Sequence, residues 1–241
     1  MNPTVRIRDS SGNAIDDDDL AFLNIGAEGF ESWTRRKSPL GVDPADYREL
    51  CRSLFESLAA DGITDADVRI QGSSVRFFSS KLKPMLYGRI ALVKEFVDQF
   101  GRFPTPHEAE RMEVRLSGRW AAPGPIDRPF DSLFVIGAAS ERSDIDFQVS
   151  SADVRRRLEA AAAEIGVPLS AMKELKEPYN FFRKEFTESE FVNTSLWRTR
   201  AIELLRRPVS VAMFDSGGPP VASGPVSSHF QDDDWVVIRD E

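Results

Sequence analysis

The sequence predicts an α/β protein of the α+β kind: a mixed sheet flanked by helices, with a helical insertion between two of its strands. Three observations carry this expectation. Tyr47, Leu50, Cys51, Leu54, Phe55 and Leu58 recur at helical spacing between Pro44 and Ala60. Val68–Ile70, Leu133–Ile136, Ile145–Val149 and Val209–Phe214 read as short strands. Stretches with helical periodicity, among them Leu86–Phe100 and Ala152–Ile165, lie along the chain between strand candidates.

Size and charge narrow the possibilities. A chain of 241 residues with 41% hydrophobic and 29% charged residues buries a sizeable core without covalent help. The single cysteine, Cys51, lies on the apolar side of its helix and reads as a core thiol. No run approaches the roughly 18 apolar residues that span a bilayer, and the start carries no apolar leader, so a cytoplasmic location and no membrane partner are expected. A net charge of −8 opposes broad nucleic-acid binding, and no DNA-specific signal is present. With only His107 and His229, far apart, a metal would have to be held by carboxylates, which favour Mg²⁺ or Mn²⁺.

Along the chain, Val5–Ile15 predicts a hairpin around Asp9-Ser10-Ser11-Gly12-Asn13. The acidic run Asp16 to Asp19 reads as a solvated loop or helix start, and Leu20 to Gly41 as irregular. Asp43-Pro44 opens the first long helix and Gly62 closes it. Val68-Arg69-Ile70 then runs straight into Gly72-Ser73-Ser74. Helices are expected over Leu86–Phe100 and Glu108–Leu116, a loop over Ala121–Pro129, and buried strands at Leu133–Ile136 and Ile145–Val149. Ala152–Ile165 and Trp197–Arg207 read as helices, Val209–Phe214 as a strand, and Trp235–Ile238 as a returning edge strand. The aromatics Tyr179, Phe181, Phe182, Phe186, Phe191 and Trp197 read as core packing. The expected organisation is an N-terminal extension over 1–43 packed on a core over 44–215, a helical insertion at about 81–130, and a C-terminal extension over 216–241.

The segment Ser143-Asp144-Ile145-Asp146-Phe147 carries the chemistry. Strand alternation puts Asp144 and Asp146 on one face and Ile145 and Phe147 on the other. Two carboxylates a few ångströms apart repel unless a cation lies between them. Gly72, Ser73 and Ser74 follow a strand and open a helical turn, where free amides attract phosphate, and Arg76, Lys81 and Lys83 add positive charge nearby. Asp215, at the end of the strand Val209–Phe214, is a candidate third carboxylate.

On these residues the sequence resembles the polymerase-β-like nucleotidyltransferase superfamily, whose pattern is a Gly-Ser turn after a strand, an acidic pair on the next strand and a third acid on a later one. The resemblance covers short motifs between about residues 66 and 215, and it departs from the family in spacing. Asp144 stands 72 positions after Gly72 where the family usually has about a dozen, a difference assigned to an insertion from roughly Lys81 to Pro129. The nearer Gly137-Ala138-Ala139-Ser140 lacks the Gly-Ser step and stands too close to Asp144.

The resemblance implies transfer of a nucleoside monophosphate from a nucleoside triphosphate to an acceptor hydroxyl on RNA, a protein or a small molecule. Asp144 and Asp146 would hold two Mg²⁺ (or Mn²⁺) ions, Gly72, Ser73 and Ser74 would cradle the phosphates, and Asp215 would be the third catalytic acid. An arginine patch of Arg69, Arg76 and Arg89 would suit an RNA end. The alternative is a catalytically degenerate fold that serves as a nucleotide-binding or protein-interaction module. A nucleotide-sugar transferase is disfavoured because residues 1–140 lack alternating strands and helices, and a haloacid-type phosphatase because Gln148 stands where it needs threonine.

Overall fold

The computed structural model describes residues 4–9, 11–79, 83–121, 124–174, 180–217 and 234–239. Strands β1 (Val5–Arg8) and β2 (Ala14–Asp16) form an antiparallel hairpin whose turn is held by Asp9, its carboxylate accepting from the amides of Ser11 and Asn13. Asp16 caps α1 (Asp17–Phe22) in a reciprocal box with Asp19, and α2 (Ala27–Thr34) follows. Asp43 caps α3 (Pro44–Ala60), with proline in its first turn. Strand β3 (Asp67–Gln71) leads into the single turn α4 (Ser73–Arg76). Next come α5 (Arg89–Phe100), α6 (Pro106–Arg119), α7 (Ser132–Ile136), β4 (Ile145–Ser150) and α8 (Ala152–Glu164). A 3₁₀ turn (Leu169–Met172), α9 (Lys184–Glu190), α10 (Val192–Leu205), β5 (Val209–Phe214) and β6 (Trp235–Val236) complete the order.

The chain divides into two compact units, and neither is a continuous segment. The first comprises residues 1–41 and 77–143. Its core joins Ile15, Leu20, Leu23 and Leu40 to Phe77, Leu92, Met112, Phe130 and Ile136. The N-terminal segment and the insertion therefore share one apolar interior, where two separate additions to a core were expected. Asp19 is buried in it. Burial raises its carboxyl above the ordinary value, against hydrogen bonds from the Asp16 amide and the Trp120 indole (2.6 Å) and the charge of Arg119 at 2.7 Å.

The second unit comprises residues 42–76 and 144–241. Its sheet runs β5-β4-β3-β6, with β4 parallel to β5 and antiparallel to β3, and β3 antiparallel to β6. The sheet is mixed, as expected, and the anticipated edge strand appears at Trp235–Val236. Trp197 of α10 packs edge-on to Phe147 at 5.2 Å and donates its indole N–H to the Leu50 carbonyl of α3. This contact ties both helices to the apolar face of β4. Phe182, Phe191 and Trp197 are buried, in keeping with core packing; Tyr179 lies outside the described residues.

Several expectations are corrected. Leu133–Ile136, read as a strand, is the helix α7, in which Leu133 and Ile136 are buried and the two residues between them are half-exposed. That is a helical period, and Gly137 in left-handed conformation ends it by donating to the Leu133 carbonyl. The stretch Leu20–Gly41, read as irregular, contains the end of α1 and all of α2. Helix α10 begins at Val192, five residues before the expected start. The Asp61 carboxylate accepts from the amides of Asn193 and Thr194, a cap supplied from far away in sequence. Among the described residues no helix is long and apolar enough to cross a membrane.

Candidate functional site

Antiparallel pairing of β3 with β4 sets Gln71 opposite Asp146, so the glycine turn leaves β3 at the end where the acidic pair enters β4. Gly72 has φ +86°, and a Cβ built on it would stand 2.9 Å from Oδ2 of Asp146. The left-handed backbone favours glycine, and a side chain there would push the Asp146 carboxylate aside. Asp144 stands immediately before β4, two positions from Asp146, and both acids are half-exposed. Ile145 and Phe147 are buried on the other side of the strand.

The turn itself is built on Gly72. Its carbonyl accepts from the amides of Val75 and Arg76, and the amides of Ser73 and Ser74 precede the first internal bond of the turn. Ser73 is half-exposed. Ser74 is fully buried with its hydroxyl directed to the Gln71 carbonyl at 3.4 Å, so it braces the turn. Arg76 ends α4 and is half-buried.

The parallel neighbour β5 supplies a residue that sequence reasoning missed. Register places Ser210 beside Asp146, and the Ser210 hydroxyl donates to Oδ1 of Asp146. Asp215, expected as the third acid, lies five positions further along, about 16 Å at strand rise, where it pairs with Arg155 at 2.9 Å. It stands at the opposite end of the sheet from the pair, and a metal held by Asp144 and Asp146 is beyond its reach. Among the described residues no group of three His, Cys, Asp or Glu side chains gathers anywhere.

A second missed feature crosses the same sheet face. Gln148 Nε2 donates to Gln71 Oε1 at 2.7 Å, and Gln71 Nε2 donates to Asp234 Oδ2 at 2.7 Å. The three residues are 4%, 2% and 5% exposed. Gln71 thus joins β4 to the residue that opens β6, one position before the glycine turn.

The other candidates are dispersed. Lys81 lies outside the described residues. Lys83 is exposed and belongs to the first unit, as does Arg89, which pairs with Glu113. Arg69 pairs with Asp67 on its own strand, so no arginine patch of Arg69, Arg76 and Arg89 is assembled within one unit. In the first unit, the residue preceding Asp144 is held firmly. Ser143 donates its amide to Asp131 at 2.8 Å and accepts the Asp131 amide at 2.9 Å, while Arg142 pairs with the other Asp131 oxygen.

The donor set fits a divalent cation of the Mg²⁺ or Mn²⁺ class: two carboxylates on one strand face, one against a backbone position with no side chain. The half-exposed Ser73 of the turn stands at the same end of the sheet. Compared with known proteins, the chain matches no family model, no curated protein and no solved structure.

Proposed function

We propose that the chain is a metal-dependent nucleotidyltransferase that acts at the β3–β4 end of the second unit. The reading is supported above all by the meeting of Gly72 and Asp146, residues distant in sequence that touch where the turn and the acidic pair share one end of the sheet. Asp144 and Asp146 would hold Mg²⁺ or Mn²⁺. The amide and hydroxyl of Ser73 would bind triphosphate oxygens, while the buried Ser74 braces the turn. A cation held there would supply positive charge against the triphosphate and its pyrophosphate leaving group. The acceptor hydroxyl belongs to RNA, a protein or a small molecule, and a cytoplasmic location is part of the proposal.

The test is incubation of the chain with each radiolabelled nucleoside triphosphate, Mg²⁺ or Mn²⁺, and a cell extract. Label on RNA, protein or a small molecule, lost in Asp146→Asn, is the expected result. Equal labelling by wild type and D146N would overturn the assignment.

A second reading is favoured by Ser210. A hydroxyl stands beside Asp146 where a third carboxylate would complete the site, so the chain would bind nucleotide and cation without turning them over. Nucleotide binding that depends on Asp146, with no transfer of label, would establish this module instead.

A further inference from the structure

We infer that Asp234 is a positioning residue for the glycine turn, and that β6 is thereby part of the nucleotide site. The inference rests on the proposed reading of Gly72 and Asp146. It comes from the direction of the buried amide ladder. A carboxylate can only accept, so Asp234 takes the Nε2 of Gln71 and turns the Gln71 Oε1 toward β4. Gln148 must then present its Nε2 to that oxygen, as it does at 2.7 Å. One carboxylate therefore sets the orientation of two amides whose exposure is 4% or less. In so dry a setting a reversed amide leaves mismatched donors and acceptors, and the cost exceeds that of a surface bond.

The orientation matters because of where Gln71 stands. It pairs with Asp146, precedes Gly72 and accepts the Ser74 hydroxyl on its carbonyl. A shift of Gln71 moves the turn against an oxygen that already lies 2.9 Å from the Gly72 Cβ position. Asp234 touches neither nucleotide nor cation in this scheme; it acts through Gln71.

The experiment is calorimetric titration of the full chain with ATP, GTP, CTP and UTP, each with Mn²⁺, well below the melting temperature. It compares wild type, Asp146→Asn, Asp234→Leu and Asp234→Asn. D234L removes the acceptor, and its nucleotide Kd should rise about tenfold while the far-ultraviolet spectrum is kept. D234N still accepts and should stay within about threefold of wild type. A D234L protein that melts lower yet binds with wild-type Kd has lost a structural contact only, which overturns the inference and leaves the site reading intact. Absence of nucleotide binding in wild type overturns both.

A second set keeps the question answerable if D234L does not fold. Gln148→Glu sets a second carboxylate against the ladder and should weaken binding. Q148E combined with D234N runs the ladder in reverse with the same charge, and should recover affinity. Failure of that recovery in a folded double variant also overturns the inference.

Discussion

Ser210 and Asp146 stand side by side on parallel strands, the serine hydroxyl donating into the carboxylate that faces Gly72 on its other side. Asp146 thus has one neighbour from the turn after β3 and one from β5, and each gives a separate handle on the site.

Substituting Ser210→Asp should place like charges directly opposite on adjacent strands. Without metal the variant should lose roughly 0.2–1 kcal/mol of stability. Mn²⁺ should restore it by more than it stabilises wild type. Thermal melts with and without Mn²⁺ measure this, and a metal-independent loss would argue against a cation at Asp146.

Gly72→Ala meets two obstacles, a φ of +86° and the Asp146 oxygen 2.9 Å from the new Cβ. The expected cost is about 1–3 kcal/mol in urea unfolding, together with loss of nucleotide binding. The comparison variant Gly62→Ala has a similar φ of +80° and open space around its Cβ, so it carries the backbone strain alone.

Asp144→Asn and Asp146→Asn should each reduce label transfer by about 100-fold or more while leaving the melting temperature close to wild type, and excess EDTA should do the same to wild type. Activity that survives chelation would remove the metal from the reading.

Asp215→Ala removes one half-exposed partner of Arg155 at the far end of β5. Stability should change by about 0.5 kcal/mol or less, and Mn²⁺ affinity should not change. A loss of Mn²⁺ affinity equal to that of D146N would contradict the register of β5.

Acid titration should single out the start of α6. Arg102 and the Thr105 amide hold the Glu108 carboxyl down at about 2, below its ordinary 4.5. A depressed carboxyl stabilises the fold above its unfolded value and loses that contribution as pH falls. The difference in melting temperature between wild type and Glu108→Gln should therefore shrink between about pH 4.5 and 2.

Local chemistry made much of the second unit legible. Asp43-Pro44 and the apolar spacing gave α3, and alternation in Ser143–Val149 gave β4 with its two acids on one face. Apolar spacing also made α5 and α6 legible, although the Thr105–Glu108 capping box, which starts α6 at Pro106 and not at Glu108, went unread. Long-range pairing was not legible. Nothing near Asp215 tells which end of β5 adjoins Asp146, and that choice decides between a carboxylate and the hydroxyl of Ser210. The ladder from Gln148 to Asp234 spans three strands that meet only in the folded sheet. Leu133–Ile136 failed for another reason: four apolar residues fit either period, and the glycine after them was the better guide.

The interleaving of the two units sets a schedule for synthesis. Gln71 and Asp146 pair across 75 positions of chain, which ribosomes extend at roughly 5–20 residues per second, so β3 waits about 4–15 s for its central partner. During that interval Val68 and Ile70 have no sheet to enter, and both edges of β3 are open to strands of other nascent chains. Slower elongation lengthens the interval in which β3 has no partner, so the yield in a heterologous host should follow elongation rate as well as the stability of the finished fold.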